Sequence, residues 1–294
     1  MADALGLGRL PGPEEHTELF LLQLPPYASV YLGPEGMLGG EARGRVSGFW
    51  RAVGRTPPAE CDHIGFLLGL HASLLEEEAE ISAGGPAAES DPRPASDDSK
   101  GRLARHARHA HFHEHLACWL FPYLLKVEEI AAPFYRGWSE LLRETLEEEA
   151  GLLGSGERLP VHLDEAPEWD EGTVAAAPAA EDAAAPEGEG ASRGSHDLVA
   201  GLLTPVRSGL ILTRSDLLRA SRTRGLPLRI GERRFALRAM LAAEQEESLA
   251  WLSEEAEGWA ERHREWEVSG GRTARFWQER ARATAELLRG LRSS

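Results

Sequence analysis

Five of the chain's 11 histidines fall in one short stretch, at His106, His109, His111, His113 and His115. On a helix, His109 with His113 and His111 with His115 stand four residues apart, the spacing that lets two imidazoles converge on one ion, with Glu114 between them. The run departs from the H-E-x-x-H register of helical zinc sites. No third ligand is placed by the spacing, and alternate imidazoles point to different faces. His109 and His113 are the metal candidates, set against the plainer reading of a partly exposed helix face. His115 belongs with Leu116, Trp119 and Leu120 on the side that turns inward.

Asp62-His63 is the second constellation, at the start of an apolar helix and just after Pro57 and Pro58. Asp62 is expected to cap that helix, where a carboxylate accepts from the first free N–H groups and meets the positive end of the helix dipole. A helix start beside a proline loop also presents an imidazole at a surface, a group suited to switching charge near neutral pH. The pair lacks the nucleophile of a triad: no G-x-S-x-G is present, and neither Cys61 nor Cys118 sits in a setting that marks a reactive thiol. Walker and G-x-G-x-x-G loops are missing as well, so the sequence implies no cofactor. A metal-dependent hydrolase centred on the histidines would be the enzymatic rival.

The elements that position these groups read as helices. Val46, Phe49, Trp50 and Val53 follow helical spacing, as do Ile64, Leu67, Leu68, His71, Leu74 and Leu75. Phe134, Trp138, Leu141, Leu142 and Leu146 form a third stripe that Pro133 opens. Trp251, Leu252, Ala256, Trp259, Ala260 and Trp266 form a fourth, and Trp277, Ala281, Thr284, Leu288 and Leu291 a fifth. Alternating strand patterns are lacking; Leu226 to Ile230 is at most one short extended piece. An all-α helical bundle is the expected class. Residues 82–100 and 168–194, rich in Gly, Pro, Ser, Asp and Ala, read as a flexible loop and a linker. The expected division is therefore a helical domain over 1–150, an acidic linker over 151–194, and a C-terminal helical module over 195–294. The two linkers leave room for a homodimer by exchange of helices.

Charge sharpens this division. With 32 Lys+Arg against 48 Asp+Glu, the net of −16 argues against a chain whose whole surface grips nucleic acid or anionic lipid. Residues 1–150 carry a net of −11, residues 152–192 a net of −9, and residues 193–243 a net of +7. The basic block holds two expected helices, near Ser215–Arg224 and Glu232–Ala242, with Thr213 or Ser215 as a cap and Gly225 as a stop. Such a pair imitates a helix-turn-helix; the competing reading docks it on an acidic surface of the chain itself or of a partner. No run approaches the ~20 apolar residues of a membrane span, Leu19 to Leu32 being broken by Pro25 and Pro26. No secretory signal is seen, and two cysteines are too few for a disulfide scaffold. A cytoplasmic location is expected.

Five pieces fall in an order that resembles the TorD/DmsD family of redox-enzyme maturation chaperones. They are Pro26-Tyr27-Ala28-Ser29-Val30-Tyr31-Leu32, Trp50-Arg51-Ala52-Val53-Gly54, the proline loop ending in Asp62-His63, His115-Leu116 with Trp119, and Pro133-Phe134-Tyr135. The resemblance spans roughly residues 17–150. It implies an all-helical, non-catalytic chaperone that binds the twin-arginine signal peptide of an apo-molybdoenzyme, a molybdopterin oxidoreductase, and delays export until the cofactor is inserted. Carried over by position, Asp62 and His63 match the family's signal-peptide motif, and Tyr27, Tyr31, Trp119, Phe134 and Tyr135 match positions near its core and groove. Glu60 and Asp62 are candidates to face the peptide's arginines, since an acidic domain attracts a cationic leader. Cys61 stands where the family tends to carry Pro or an acid, the region before Pro26 is short, and residues 195–294 find no counterpart. The rival function is a DNA-binding regulator using residues 207–238.

Overall fold

In the computed structural model, each stripe of helical spacing becomes a helix that buries or half-buries most of that stripe, with Leu75 and Leu141 left exposed. The structure describes residues 9–33, 37–83, 95–156, 158–169, 193–229 and 231–293. In chain order the helices are α1 (Pro13–His16), α2 (Ala28–Leu32), α3 (Gly40–Ala52), α4 (Ile64–Ala83), α5 (Ala95–His111), α6 (Cys118–Ile130) and α7 (Pro133–Leu153). There follow α8 (Val161–Asp164), α9 (Arg193–Leu202), α10 (Pro205–Ser208), α11 (Arg214–Arg224), α12 (Arg233–Ala243), α13 (Gln245–Glu265) and α14 (Glu267–Arg292). Two wider, π-helical turns, Thr17–Gln23 and Phe112–Ala117, extend α1 and join α5 to α6. Among the described residues there is no strand; the nearest to one is a single antiparallel bridge between Tyr27 and His63. The fold is all-α.

The core is continuous across both halves of the sequence. Its centre is α6, whose Trp119, Leu120, Phe121, Tyr123 and Leu124 are all buried. Pro122 lies inside this helix, and because proline has no N–H the carbonyl of Cys118, four residues earlier, loses its helical donor. The indole Nε1 of Trp277 on α14 donates to that carbonyl at 3.0 Å. Phe121 stacks on Trp266 at 4.5 Å between ring centres. A buried ammonium, Lys126, reaches Asp216 on α11 at 2.7 Å and Glu129 at 2.9 Å. The C-terminal helices thus close the face of α6 that the N-terminal helices leave open. At Gly209 the chain passes close to α14: the residue has a φ of +72°, and any Cβ there would meet the backbone of Ala281.

Two expected boundaries move. Of the loop expected over 82–100, residues 82–83 complete α4 and residues 95–100 open α5, while 84–94 lie outside the described residues. Of the linker expected over 151–194, α7 takes residues to Leu153 and residues 158–169 lie against the core. Leu163 and Ala166 are buried, Leu159 packs beside them, and the Trp169 indole donates to Thr284 Oγ1 at 2.9 Å. Leu159, Leu163, Ala166 and Trp169 recur every three or four residues, an apolar edge hidden by the acids between them. Residues 170–192 of the linker lie outside the described residues.

Candidate functional site

The Asp62-His63 loop is held from below. Asp62 is 2% exposed, and its Oδ2 accepts from the Ser29 hydroxyl at 2.6 Å and from the Ser29 N–H at 3.3 Å. Ser29 is the second residue of α2, so Asp62 caps α2 and not its own helix α4, correcting the capping expected from the sequence. The cap of α4 is His63: its Nδ1 accepts from the Gly65 N–H at 3.0 Å. The reason is the bridge between Tyr27 and His63, which brings the start of α2 alongside the start of α4 and turns the carboxylate across. Ser29 Oγ then accepts from the Gly39 N–H at 2.9 Å, and Arg43 donates to the Ala59 carbonyl and lies 3.9 Å from Asp62 Oδ1. Cys61 is buried with its thiol toward the Arg43 carbonyl, and burial pushes that thiol up from its ordinary value.

This scaffold presents a polar and aromatic face outward. With Nδ1 accepting, the neutral imidazole of His63 carries its proton on Nε2, a donor free to face a ligand. The Tyr27 ring lies edge-on to His63 at 5.0 Å, and Phe66, 43% exposed, lies edge-on at 6.3 Å from the other side. Glu60 is exposed, and it faces the Tyr27 hydroxyl; partial burial, then the Glu60 carboxylate, push that phenol up from its ordinary value. One carboxylate, one imidazole donor and two aromatic faces can bind a cationic, partly apolar ligand.

The other carried-over residues lie elsewhere. Tyr31 and Trp119 stack on each other at 5.4 Å inside the core, 2% and 0% exposed, so they support α2 from within. Phe134 and Tyr135 join a separate half-buried aromatic group in which Tyr135 meets Phe20 at 5.0 Å. The structure brings Tyr27, Glu60 and His63 together, places Asp62 beneath them, and sets the other four apart. Phe66, which sequence reasoning missed, is visible in retrospect as the residue three positions after His63, one helical turn along the same face.

Of the five histidines in the run, His111 and His115 are buried, His109 and His113 are half-buried and His106 is exposed, with a π-helical turn over Phe112–Ala117. His71, His111, His115 and His162 follow one another at 5.8, 5.8 and 5.9 Å between ring centres. Burial pulls all four imidazoles below their usual value, His111 to about 3 and His162 to about 4. His109 and His113 have ring centres 4.4 Å apart, but His113 Nε2 is engaged with the Gly154 carbonyl at 3.0 Å. Among the described residues, no three His, Cys, Asp or Glu side chains are grouped to hold a metal ion.

The basic block meets the acids of its own chain. Thr213 and Asp216 form a reciprocal capping box at the start of α11, and Gly225 ends it with a φ of +69°. Arg219 pairs with Glu129 at 2.7 Å and Glu255 at 3.0 Å, and Arg224 pairs with Glu247 and Glu254. Arg219 and Arg224 are thus engaged by carboxylates of their own chain, and nothing among the described residues supports reading α11 and α12 as a DNA-binding pair.

Residues 11–122 match the family described as nitrate reductase delta subunit. That family is one of molybdoenzyme maturation chaperones, not itself catalytic, and belongs to the same superfamily as the TorD-like proteins. No curated protein matches the chain. No solved structure matches it either. Among the described residues, no helix is long and apolar enough to cross a membrane.

Proposed function

We propose that this chain is a cytoplasmic maturation chaperone for a molybdoenzyme subunit, and that it holds the twin-arginine leader of that client until the cofactor is inserted. The observation that carries the reading is the outward face formed by Tyr27, Glu60, His63 and Phe66, which lies within the stretch matching the delta-subunit family. The face has a carboxylate for a guanidinium, a donor for a peptide carbonyl and ring surfaces for an apolar side chain. Its backing is rigid, so little ordering entropy opposes binding. Residues 1–150, with a net charge of −11, add long-range attraction for a cationic peptide. Asp62 serves as a positioning residue that fixes the loop through Ser29.

Calorimetric titration of the full chain with a synthetic peptide bearing two arginines and an apolar run tests this. The full chain is expected to bind the peptide, and to lose at least tenfold in affinity when both arginines become glutamine or when Glu60→Gln and His63→Ala are combined. Equal binding by the arginine-free peptide would overturn the proposal, as would full affinity in the doubly substituted protein. Asp62→Asn is expected to weaken binding while also lowering the melting temperature, because it loosens the cap on α2.

A further inference from the structure

The loop that carries Glu60 and His63 already holds a guanidinium of its own chain. Arg43, on α3, donates to the Ala59 carbonyl and brings its Nε to 3.9 Å from Asp62 Oδ1. Both hydrogen bonds that the Asp62 carboxylate accepts from Ser29 end on Oδ2. Among the described residues, Oδ1 is left with the Arg43 cation beside it and no hydrogen bond.

This ion pair is loose. A charge-assisted hydrogen bond closes to about 2.7–2.9 Å, the distance at which Arg108 meets Glu78, Arg143 meets Glu128 and Arg219 meets Glu129. Arg43 stays farther out, its side chain 44% exposed above a carboxylate that is 2% exposed. An arginine already half in water loses little when it swings away, whereas the buried carboxylate needs a cation in its place. The charge of Arg43 also reaches the outward face: burial, then Glu60 and Asp62, push the Tyr27 phenol up, and Arg43 works against them. The acceptors it uses, a backbone carbonyl and a carboxylate oxygen with Glu60 next in the chain, suit the planar fork of a guanidinium. An ammonium carries its donors on one atom and spans them poorly.

We infer that Arg43 is an internal occupant of the guanidinium seat on this face, and that an arginine of the client's leader binds by displacing it. The inference rests on the leader reading and adds a built-in competitor to it. Exchange of one guanidinium for another leaves Asp62 compensated throughout. An occupied seat lowers apparent affinity by the fraction of time it stands open, so a lone lysine is turned away and a leader with two arginines is favoured.

The test uses the full chain with Arg43→Gln or Arg43→Ala, and as probes the twin-arginine peptide, ethylguanidinium and ethylammonium. Arg43→Gln is expected to bind the peptide at least threefold more tightly than the wild type, because the competitor is gone. A mere brace for the Ala59 carbonyl would give the opposite result, so equal or weaker binding by Arg43→Gln overturns the inference. In Arg43→Ala the vacated seat should take the small cation of matching shape: millimolar ethylguanidinium should raise the melting temperature by about 2 °C relative to ethylammonium, with no such difference in the wild type. Equal responses of Arg43→Ala to the two cations also overturn it. A wild type and an Arg43→Gln variant that both ignore the peptide, while Arg43→Ala still selects ethylguanidinium, would sink the leader reading and leave the seat standing.

Discussion

Replacing Lys126 by methionine probes the joint between the two halves of the chain. Lys126 and Asp216 are both fully buried and 2.7 Å apart, one on α6 and the other on α11. Methionine keeps the length and most of the volume, so the loss is the charge and two charge-assisted hydrogen bonds, to Asp216 and Glu129. Removing one member of a buried pair ordinarily costs about 3–5 kcal/mol, because the partner is left uncompensated. Here the orphaned acids retain other partners: Asp216 keeps Arg219 at 2.9 Å and the Thr213 N–H at 2.7 Å, and Glu129 keeps Arg219 and Arg262. The cost should therefore lie at the low end, about 3 kcal/mol. Asp216→Asn should cost a similar amount, and the double variant only slightly more than either, a coupling of about 2 kcal/mol. Urea unfolding at pH 7, followed by tryptophan emission, gives these values, with a melting temperature lower by roughly 6–10 °C in each single variant. Costs below about 1 kcal/mol, or costs that simply add, would refute the reasoning that this pair is a buried joint.

Three further outcomes follow from the same structure. Trp277→Phe removes the indole donor to the Cys118 carbonyl, whose own helical donor is absent because of Pro122, and should cost about 1–2 kcal/mol by urea unfolding; a neutral result would contradict that role. A fragment ending at residue 194 leaves Phe121 without Trp266 and Lys126 without Asp216. It should unfold without a cooperative transition and bind a hydrophobic dye, whereas a sharp transition would show that the C-terminal helices are dispensable for folding. His71, His111, His113, His115, His162 and His263 are all held below their usual value by burial, to about 3 for His111 and His263 and about 4 for His113 and His162. The unfolded chain takes up these protons near pH 6.5 and the folded chain does not, so stability is complete above about pH 7 and falls as the pH drops from 6.5 toward 4. Urea midpoints at pH 7.5, 6.5 and 5.5 should decline steadily, with a slope near pH 5.5 of three or more protons; a flat profile over that range would show that the imidazoles are not buried neutral.

Legibility in the sequence tracked the range of the interaction. The stripes that became α3, α4, α7, α13 and α14 are local patterns, and the structure turns most of each inward, Leu75 and Leu141 being the exceptions. Thr213 and Gly225 likewise bounded α11 by local chemistry. Asp62 was misassigned because its partner is Ser29, 33 residues earlier, and a carboxylate ahead of a helix looks the same whether it caps that helix or another. Helical spacing turns His115 inward with Leu116 and Trp119, but its ring contact with His162 comes from a distant segment and has no local sign. Lys126 carried no local sign of burial, since its counter-ion lies 90 residues away. Of the proposed recognition face, Tyr27, Glu60 and His63 were named from sequence, and Phe66 emerged only once the loop was seen in three dimensions.

The central claim, that this chain matures a molybdoenzyme, is tested most directly by the metal content of a client. A twin-arginine-leader molybdopterin oxidoreductase from the same genome, produced with and without this chain, should carry at least tenfold less molybdenum when the chain is absent and recover when it is restored. Glu60→Gln combined with His63→Ala should restore it poorly. Full molybdenum loading without the chain, in every such oxidoreductase of that genome, would contradict the account.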